Sequence, residues 1–360
     1  MFRPQYLFFI FVISILLSSC ATEPAKVTKD QAAAFAIAIE NEVRDMKINF
    51  LEKNIMLPVF MKRVYQAVDL KPSTVIESEM KKMIAGNSYE KNIYEVMAGK
   101  GGFKKVKQYE KEGIQHILYR VHGSGFTYLD MELNNFKEQV GIADIFLYNT
   151  GQNLSASVGD LMKKFTTHGQ SAIANQLETR LTNISRYLKN ANYEFAKAEF
   201  DRLPYDIRNN RLYEIRYMQI LSKLGGEQYL NYQQKIETKY AADAGFQLMM
   251  IDLYLNQQKL DKALDAINKL DSFINKDPFL DYYRGLVLNM KGEPDEAIRH
   301  FEKLVAADPQ LAEPYPELAA AYALQQDYSS SGRFFSLYKK MRNADKEIIT
   351  YLKTSYPGLE

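Results

Sequence analysis

The 360-residue sequence predicts a mainly α protein, in which a small α+β domain with an antiparallel sheet precedes a helical-repeat solenoid. Three observations predict it. Between His116 and Asn149 apolar residues alternate with a period of two, as in half-buried strands, whereas the flanking stretches keep the helical period. From about Asn153 onward the chain reads as helix after helix, joined by tight turns. Within that half a small residue followed four places later by a large one recurs as Ala263/Ile267, Ala297/Phe301 and Ser331/Phe335, two equal steps of 34. Hydrophobic residues at 46% and charged residues at 25% fit an ordinary globular chain of about two domains. The net charge of +2 argues against a nucleic-acid partner, which would need a basic stripe. One Cys excludes an intramolecular disulfide framework and any multi-Cys metal or cluster site, and no cofactor is implied. The expected division is 1–19 leader, 20–30 tether, 31–153 α+β domain and 154–360 repeats.

Arg3 precedes the apolar run Leu7–Leu17, which is too short to cross a ~30 Å hydrocarbon core as a helix. A charged start, a short apolar run and then small residues make a secretory signal. Leu17-Ser18-Ser19-Cys20 resembles the bacterial lipobox. That resemblance implies a lipoprotein signal peptide, with Cys20 as the acylated, palmitate-bearing N-terminus of the mature chain. Ala21 after the Cys implies sorting to the outer membrane, on its periplasmic face or exposed at the surface. Residues 21–29, with Pro24 and mixed charges, read as a short tether.

Next, Phe35, Ile39, Val43, Met46 and Phe50 recur at helical spacing, and Pro58 divides this stretch into two helices ending near Val68. Pro72-Ser73-Thr74 opens a further helix to about Met97, with Ser73 or Thr74 and Glu77 as a capping box; Gly99–Gly102 ends it. His116–His122, Phe126–Asn134 and Gly141–Asn149 alternate as strands, with Gly123-Ser124-Gly125 as a turn and Phe103–Tyr109 as a possible fourth strand. Helices followed by such a meander, and the segment Ile142–Tyr148 as a final strand, resemble the cone-shaped fold of nuclear transport factor two and its SnoaL-like relatives. The resemblance implies a cavity where His and Asp could do acid–base work on a small ligand.

In the second half, Gly285, Leu288, Ala297, Phe301 and Pro309 fill successive signature positions, as do Tyr315, Leu318, Ala319, Tyr322, Ser331 and Phe335 one unit later. Tyr254, Ala263 and Ile267 hold the same register; Tyr213–Tyr240 and the Ala196/Phe200 pair fit degenerate units. Asp277-Pro278 and Asp308-Pro309 punctuate unit ends. These residues resemble the tetratricopeptide repeat. Small residues let the two helices of a hairpin approach, and each hairpin must stack on the next to bury its apolar face. The resemblance implies about five hairpins and a concave groove, lined here by Phe279, Tyr282, Leu286 and Asn289, then Glu313, Pro316, Ala320 and Ala323. Such a groove would hold an envelope protein or peptide.

The chain lacks H-E-x-x-H, a Walker loop and G-x-S-x-G, and no two of its four His have metal-ligand spacing on a helix. Gly99–Lys107 is Gly- and Lys-rich but lacks the phosphate-loop spacing, so it reads as a turn with solvated lysines, the alternative being a patch for an anionic headgroup or ligand. In the strands, alternation can put His116, Arg120 and His122, then Asp130 and Glu132 beside Tyr128, then Asp144, on one polar face. That face is either solvated or the wall of a pocket closed by the N-terminal helices; a His–Asp pair there could work near neutral pH. The sequence therefore favours a lipid-anchored, non-catalytic scaffold over a small-ligand binder or acid–base enzyme.

Overall fold

A computed structural model of the protein describes residues 26–360 except 48, 70, 87, 98–100, 124, 137–138, 169–171, 357 and 360. The leader and Cys20 lie outside the described residues. Five helices come first: α1 (Lys29–Arg44), α2 (Phe50–Asn54), α3 (Leu57–Val68), α4 (Thr74–Ala85) and α5 (Ser88–Met97). Helix α1 opens with a capping box: the Gln31 amide donates to Thr28 Oγ1 and the Thr28 amide to Gln31 Oε1, so this helix starts two residues ahead of expectation. Pro58 sits in the first turn of α3, where its missing N–H costs nothing. The single helix expected over 74–97 is two, with Gly86 after the first.

The strands β1 (Gly102–Lys111), β2 (Ile114–His122), β3 (Phe126–Phe136), β4 (Gln139–Leu147) and β5 (Gln152–Asn153) form an antiparallel meander in sequence order. Glu112 and Gly113 both have positive φ, the backbone of a two-residue hairpin turn, which makes β1 a full strand. The pairs His116↔Glu132, Leu118↔Asp130 and Arg120↔Tyr128, continued by Asp130↔Phe146 and Glu132↔Asp144, put all the anticipated polar groups on one face. The opposite face, with Ile117, Tyr119, Val121, Met131 and Ile145, is apolar and packs on the N-terminal helices. That corrects the expected pocket: these helices close the apolar face, and the polar face points the other way.

Helix α6 (Leu154–His168) was expected to open the repeats. Its Leu154, Val158 and Met162 instead join the core of the first domain, and Gly159 lies against Val64 and Val68 of α3. The repeats follow as hairpins: α7 (Ala172–Lys189) with α8 (Tyr193–Asp201); after the short α9 (Tyr205–Arg208), α10 (Arg211–Leu224) with α11 (Gly226–Lys239); α12 (Ala244–Asn256) with α13 (Leu260–Ile274); α14 (Leu280–Lys291) with α15 (Pro294–Ala307); and α16 (Pro314–Leu324) with α17 (Tyr328–Lys339). Helix α18 (Lys346–Ser355) closes the end with Leu352. Ala263, Ala297 and Ser331 are fully buried, as are Ile267, Phe301 and Phe335 four residues on, so the 34-residue step is a packing repeat. At Gly285 a Cβ would lie 2.4 Å from the Phe301 ring, which is why the approach of α14 to α15 needs glycine. The chain is thus a tetratricopeptide-like solenoid behind a small α+β domain.

Candidate functional site

The polar sheet face lies against the turns that join one hairpin to the next, along one edge of the solenoid. Three of these turns contribute a carboxylate, Asp243, Asp277 and Asp308. After α13, Asn275 and Lys276 both take left-handed backbone, which re-aims the chain at Asp277. Arg120 Nη1 donates to both Asp277 oxygens, at 2.6 and 2.8 Å, with side chains only 4% and 2% exposed. The Tyr128 hydroxyl donates to Asp277 Oδ2 at 2.9 Å, and burial holds its pKa far above the ordinary value, so it keeps this proton. The Arg120 guanidinium stacks 4.3 Å from the Phe279 ring centre. At the next turn Lys104 Nζ meets Asp308 Oδ2 at 2.5 Å. At the preceding one Arg211 donates to Asp243 and to the Thr150 carbonyl, tying the end of the sheet to α10 and α12.

His122 belongs to the same clasp. Its ring lies 5.0 Å from that of Phe279 and its Nε2 is 3.6 Å from Glu313 Oε1. Burial first, and then the neighbouring Arg120, push its pKa down to about 3, so it is neutral. Burial likewise pushes the Glu313 carboxyl up. Phe126 packs on Phe279 and Tyr283. The expected groove lining is corrected at Phe279, which is buried against the sheet and closed to a partner; Glu313 turns one oxygen toward His122 but stays partly exposed, and Tyr282, Leu286 and Asn289 are half-buried further along α14. Arg120 and His122 are corrected likewise, because they pair with the solenoid and face neither water nor the N-terminal helices.

The rest of the polar face borders a cavity of about 680 Å³ between the sheet and the start of α12. His116, Asp130, Glu132 and Asp144 all line it, with Lys107, Tyr109, Phe146 and Tyr148. His116 Nδ1 lies 3.2 Å from Asp130 Oδ1, the Tyr109 hydroxyl donates to Asp130 Oδ2, and the Tyr109 and His116 rings stack at 5.1 Å. Burial and that Asp130 bond raise the Tyr109 pKa, so the phenol stays a donor. Arg63 of α3 forms a two-pronged bond to Glu132. Asp144 accepts from Ser155 Oγ at 2.5 Å and from the amides of Ile145 and Ser155. Burial still raises the Asp144 carboxyl above its ordinary range. A carboxylate holding one imidazole nitrogen leaves the other for a ligand, the arrangement of a His–Asp acid–base pair. Among the described residues no cluster of His, Cys, Asp and Glu is placed to hold a metal, and no helix is long and apolar enough to cross a membrane.

A second depression, of about 510 Å³, opens on the solenoid between α10 and α12, with no sheet residue in its lining. It presents Arg216, Gln219, Lys223, Asp252, Asn256 and Gln257. Asp252 is exposed at its rim, and the surrounding protein, by crowding out part of its water, raises its carboxyl. Sequence reasoning missed this surface, the Lys104, Asp277 and Asp308 anchors, and Tyr109. The two Asp-Pro pairs were visible as punctuation, and Tyr109 was visible in a doubtful strand.

No protein-family model matches the chain, and neither does any curated protein. Solved structures that resemble it include one titled as the crystal structure of MamA protein, 15% identical, with a TM-score of 0.37 over 51% of this chain and 96% of that chain. The MamA AMB-1 structure is 17% identical, with a TM-score of 0.36 over 49% of this chain and 97% of that one. MamA MSR-1 is 16% identical, with a TM-score of 0.34 over 50% and 98% respectively. Likeness at this level carries no inference about function.

Proposed function

We propose that the chain is a non-catalytic scaffold that binds a protein partner on its solenoid and is held at a bacterial outer membrane by lipid on Cys20. The observation that supports the binding role is the open depression between α10 and α12. Its amides and mixed charges can bond an extended peptide backbone, and neighbouring hairpins extend the surface. The anchor reading rests on the Leu17–Cys20 lipobox resemblance. One acyl chain holds a protein only marginally, whereas several hold it firmly.

A photo-crosslinking residue at Gln219 or Asn256 of the full-length chain, in native envelopes, tests the scaffold. The same partner should be captured from both positions and not from the exposed Glu347 on α18. Equal capture from all three, or none from the depression, refutes the reading. For the anchor, Cys20→Ala should leave an unprocessed or released chain; a variant still processed and lipid-bound refutes it. A second reading, a small-ligand binder, is favoured by the His116–Asp130–Tyr109 arrangement on the cavity wall.

A further inference from the structure

We propose that the cavity between the sheet and α12 binds a small organic anion with a flat aromatic or unsaturated body, its charge held by Lys107. This deepens the ligand-binding reading and is independent of any partner on the solenoid. The cavity is about 680 Å³, within the range that takes small ligands, and it lies at a domain junction where such sites form.

The sign of the ligand follows from which charges in the wall are already satisfied. Asp130 is engaged through both oxygens by Tyr109 and His116. Glu132 is held at both oxygens by Arg63, and Asp144 by Ser155 and two backbone amides. Asp243 is held by Arg211 and the Phe246 amide. A cationic ligand or a metal ion would have to share these oxygens with donors already in place. Lys107 differs. Its ammonium rests 4.6 Å from the centre of the Tyr109 ring, attracted by Asp130 through space, and makes no hydrogen bond or ion pair with a described residue. Burial lowers its pKa, the mark of a cation short of compensation.

The body of the ligand follows from the walls. Tyr109 and His116 form a stacked pair with planes 22° apart, and Phe146 stands edge-on to Tyr148 at 88°. A flat π-system fits such surfaces by stacking or by edge contact. The imidazole nitrogen of His116 not turned to Asp130 remains to hydrogen-bond a substituent.

Benzoate, phenyl phosphate, benzylamine and benzyl alcohol share one ring and differ in charge. Each would be titrated into the full-length chain, with the His116 ring resonances and calorimetry as readouts. Benzoate or phenyl phosphate should shift the His116 signals at millimolar concentration, and the better of the two identifies a carboxylate or a phosphate as the natural head group. Lys107→Gln should weaken that binding at least about tenfold, the loss of one charge-assisted bond, while Lys107→Arg retains it. Lys262→Gln, which removes a remote lysine paired with Glu237, should leave it unchanged. Equal or tighter binding of benzylamine or benzyl alcohol overturns the proposal. So does unchanged affinity in a folded Lys107→Gln chain, or the absence of any response at His116.

Discussion

Replacing Arg120 with Met tests whether the sheet and the solenoid unfold as one unit. The substitution keeps most of the side-chain volume over Phe279 and removes the guanidinium. Asp277 would then sit 2% exposed with only the Tyr128 hydroxyl and the Phe279 amide to solvate its charge. Breaking a buried ion pair in this way costs about 3–5 kcal/mol. Most of that is the stranded carboxylate, so Asp277→Leu added to Arg120→Met should recover a large part, with a coupling of about 0.5–3 kcal/mol in the cycle. The chain has no Trp, so urea unfolding is followed by far-UV circular dichroism. Amide exchange in α3 and in α17 then reports each half separately. In the unaltered chain both halves should open together. In Arg120→Met the α+β domain should open at lower urea than the repeats. A loss under about 0.5 kcal/mol, with the two halves still opening together, would refute the idea that this contact couples them.

Three other outcomes are expected. His122 is neutral in the folded state, with its pKa lowered to about 3 against about 6.5 unfolded, so the unfolded chain takes up a proton that the folded one refuses. Its contribution to stability is therefore full above pH ~6.5 and falls by about 1.4 kcal/mol per pH unit as the pH drops toward 3. His122→Gln should flatten that part of the stability profile; a parallel profile contradicts it. Gly245→Ala would put a Cβ 2.1 Å from the Tyr148 carbonyl oxygen, a backbone atom that cannot turn aside, so about 1–3 kcal/mol should be lost together with protection of the β4–α12 contact in amide exchange. Ala297→Trp should cost about 1–3 kcal/mol or more by overpacking a fully buried site, and an unchanged melting temperature would count against the repeat register.

The repeats were legible because their spacing is itself a packing constraint: a small residue at Ala263, Ala297 and Ser331 is demanded wherever two helices touch. The α10/α11 hairpin was harder to read because Tyr229 and Gln233 occupy the corresponding buried positions. The strands were legible from alternation. What covers them was not, because period two shows that a strand has two faces and says nothing of a neighbour 157 residues away, the separation of Arg120 from Asp277. The same limit misassigned α6. Leu154, Val158 and Met162 define a helix stripe, but a stripe does not say which core it enters. The candidate site was half legible. His116, Asp130, Glu132 and Asp144 do share a face and line one cavity, yet Arg120 and His122 on that face serve to join the two halves, and Lys107 read first as a solvated lysine, with an anion patch as the alternative.

The carboxylates at the hairpin turns change what kind of object the repeat array is. In an open array each unit touches only its neighbours, and units can be added or removed with little consequence beyond the cut. Here Asp243, Asp277 and Asp308 stand along one edge like teeth, and Thr150, Arg120 and Lys104 engage them directly or through Arg211. A sheet of fixed width therefore measures out the hairpins beneath it. Inserting or deleting one unit between Asp243 and Asp308 would slide the teeth out of step with the residues of the first domain that meet them. The number of hairpins between Asp243 and Asp308, elsewhere a free parameter of a solenoid, is matched in this protein to a ruler folded from its own N-terminal domain.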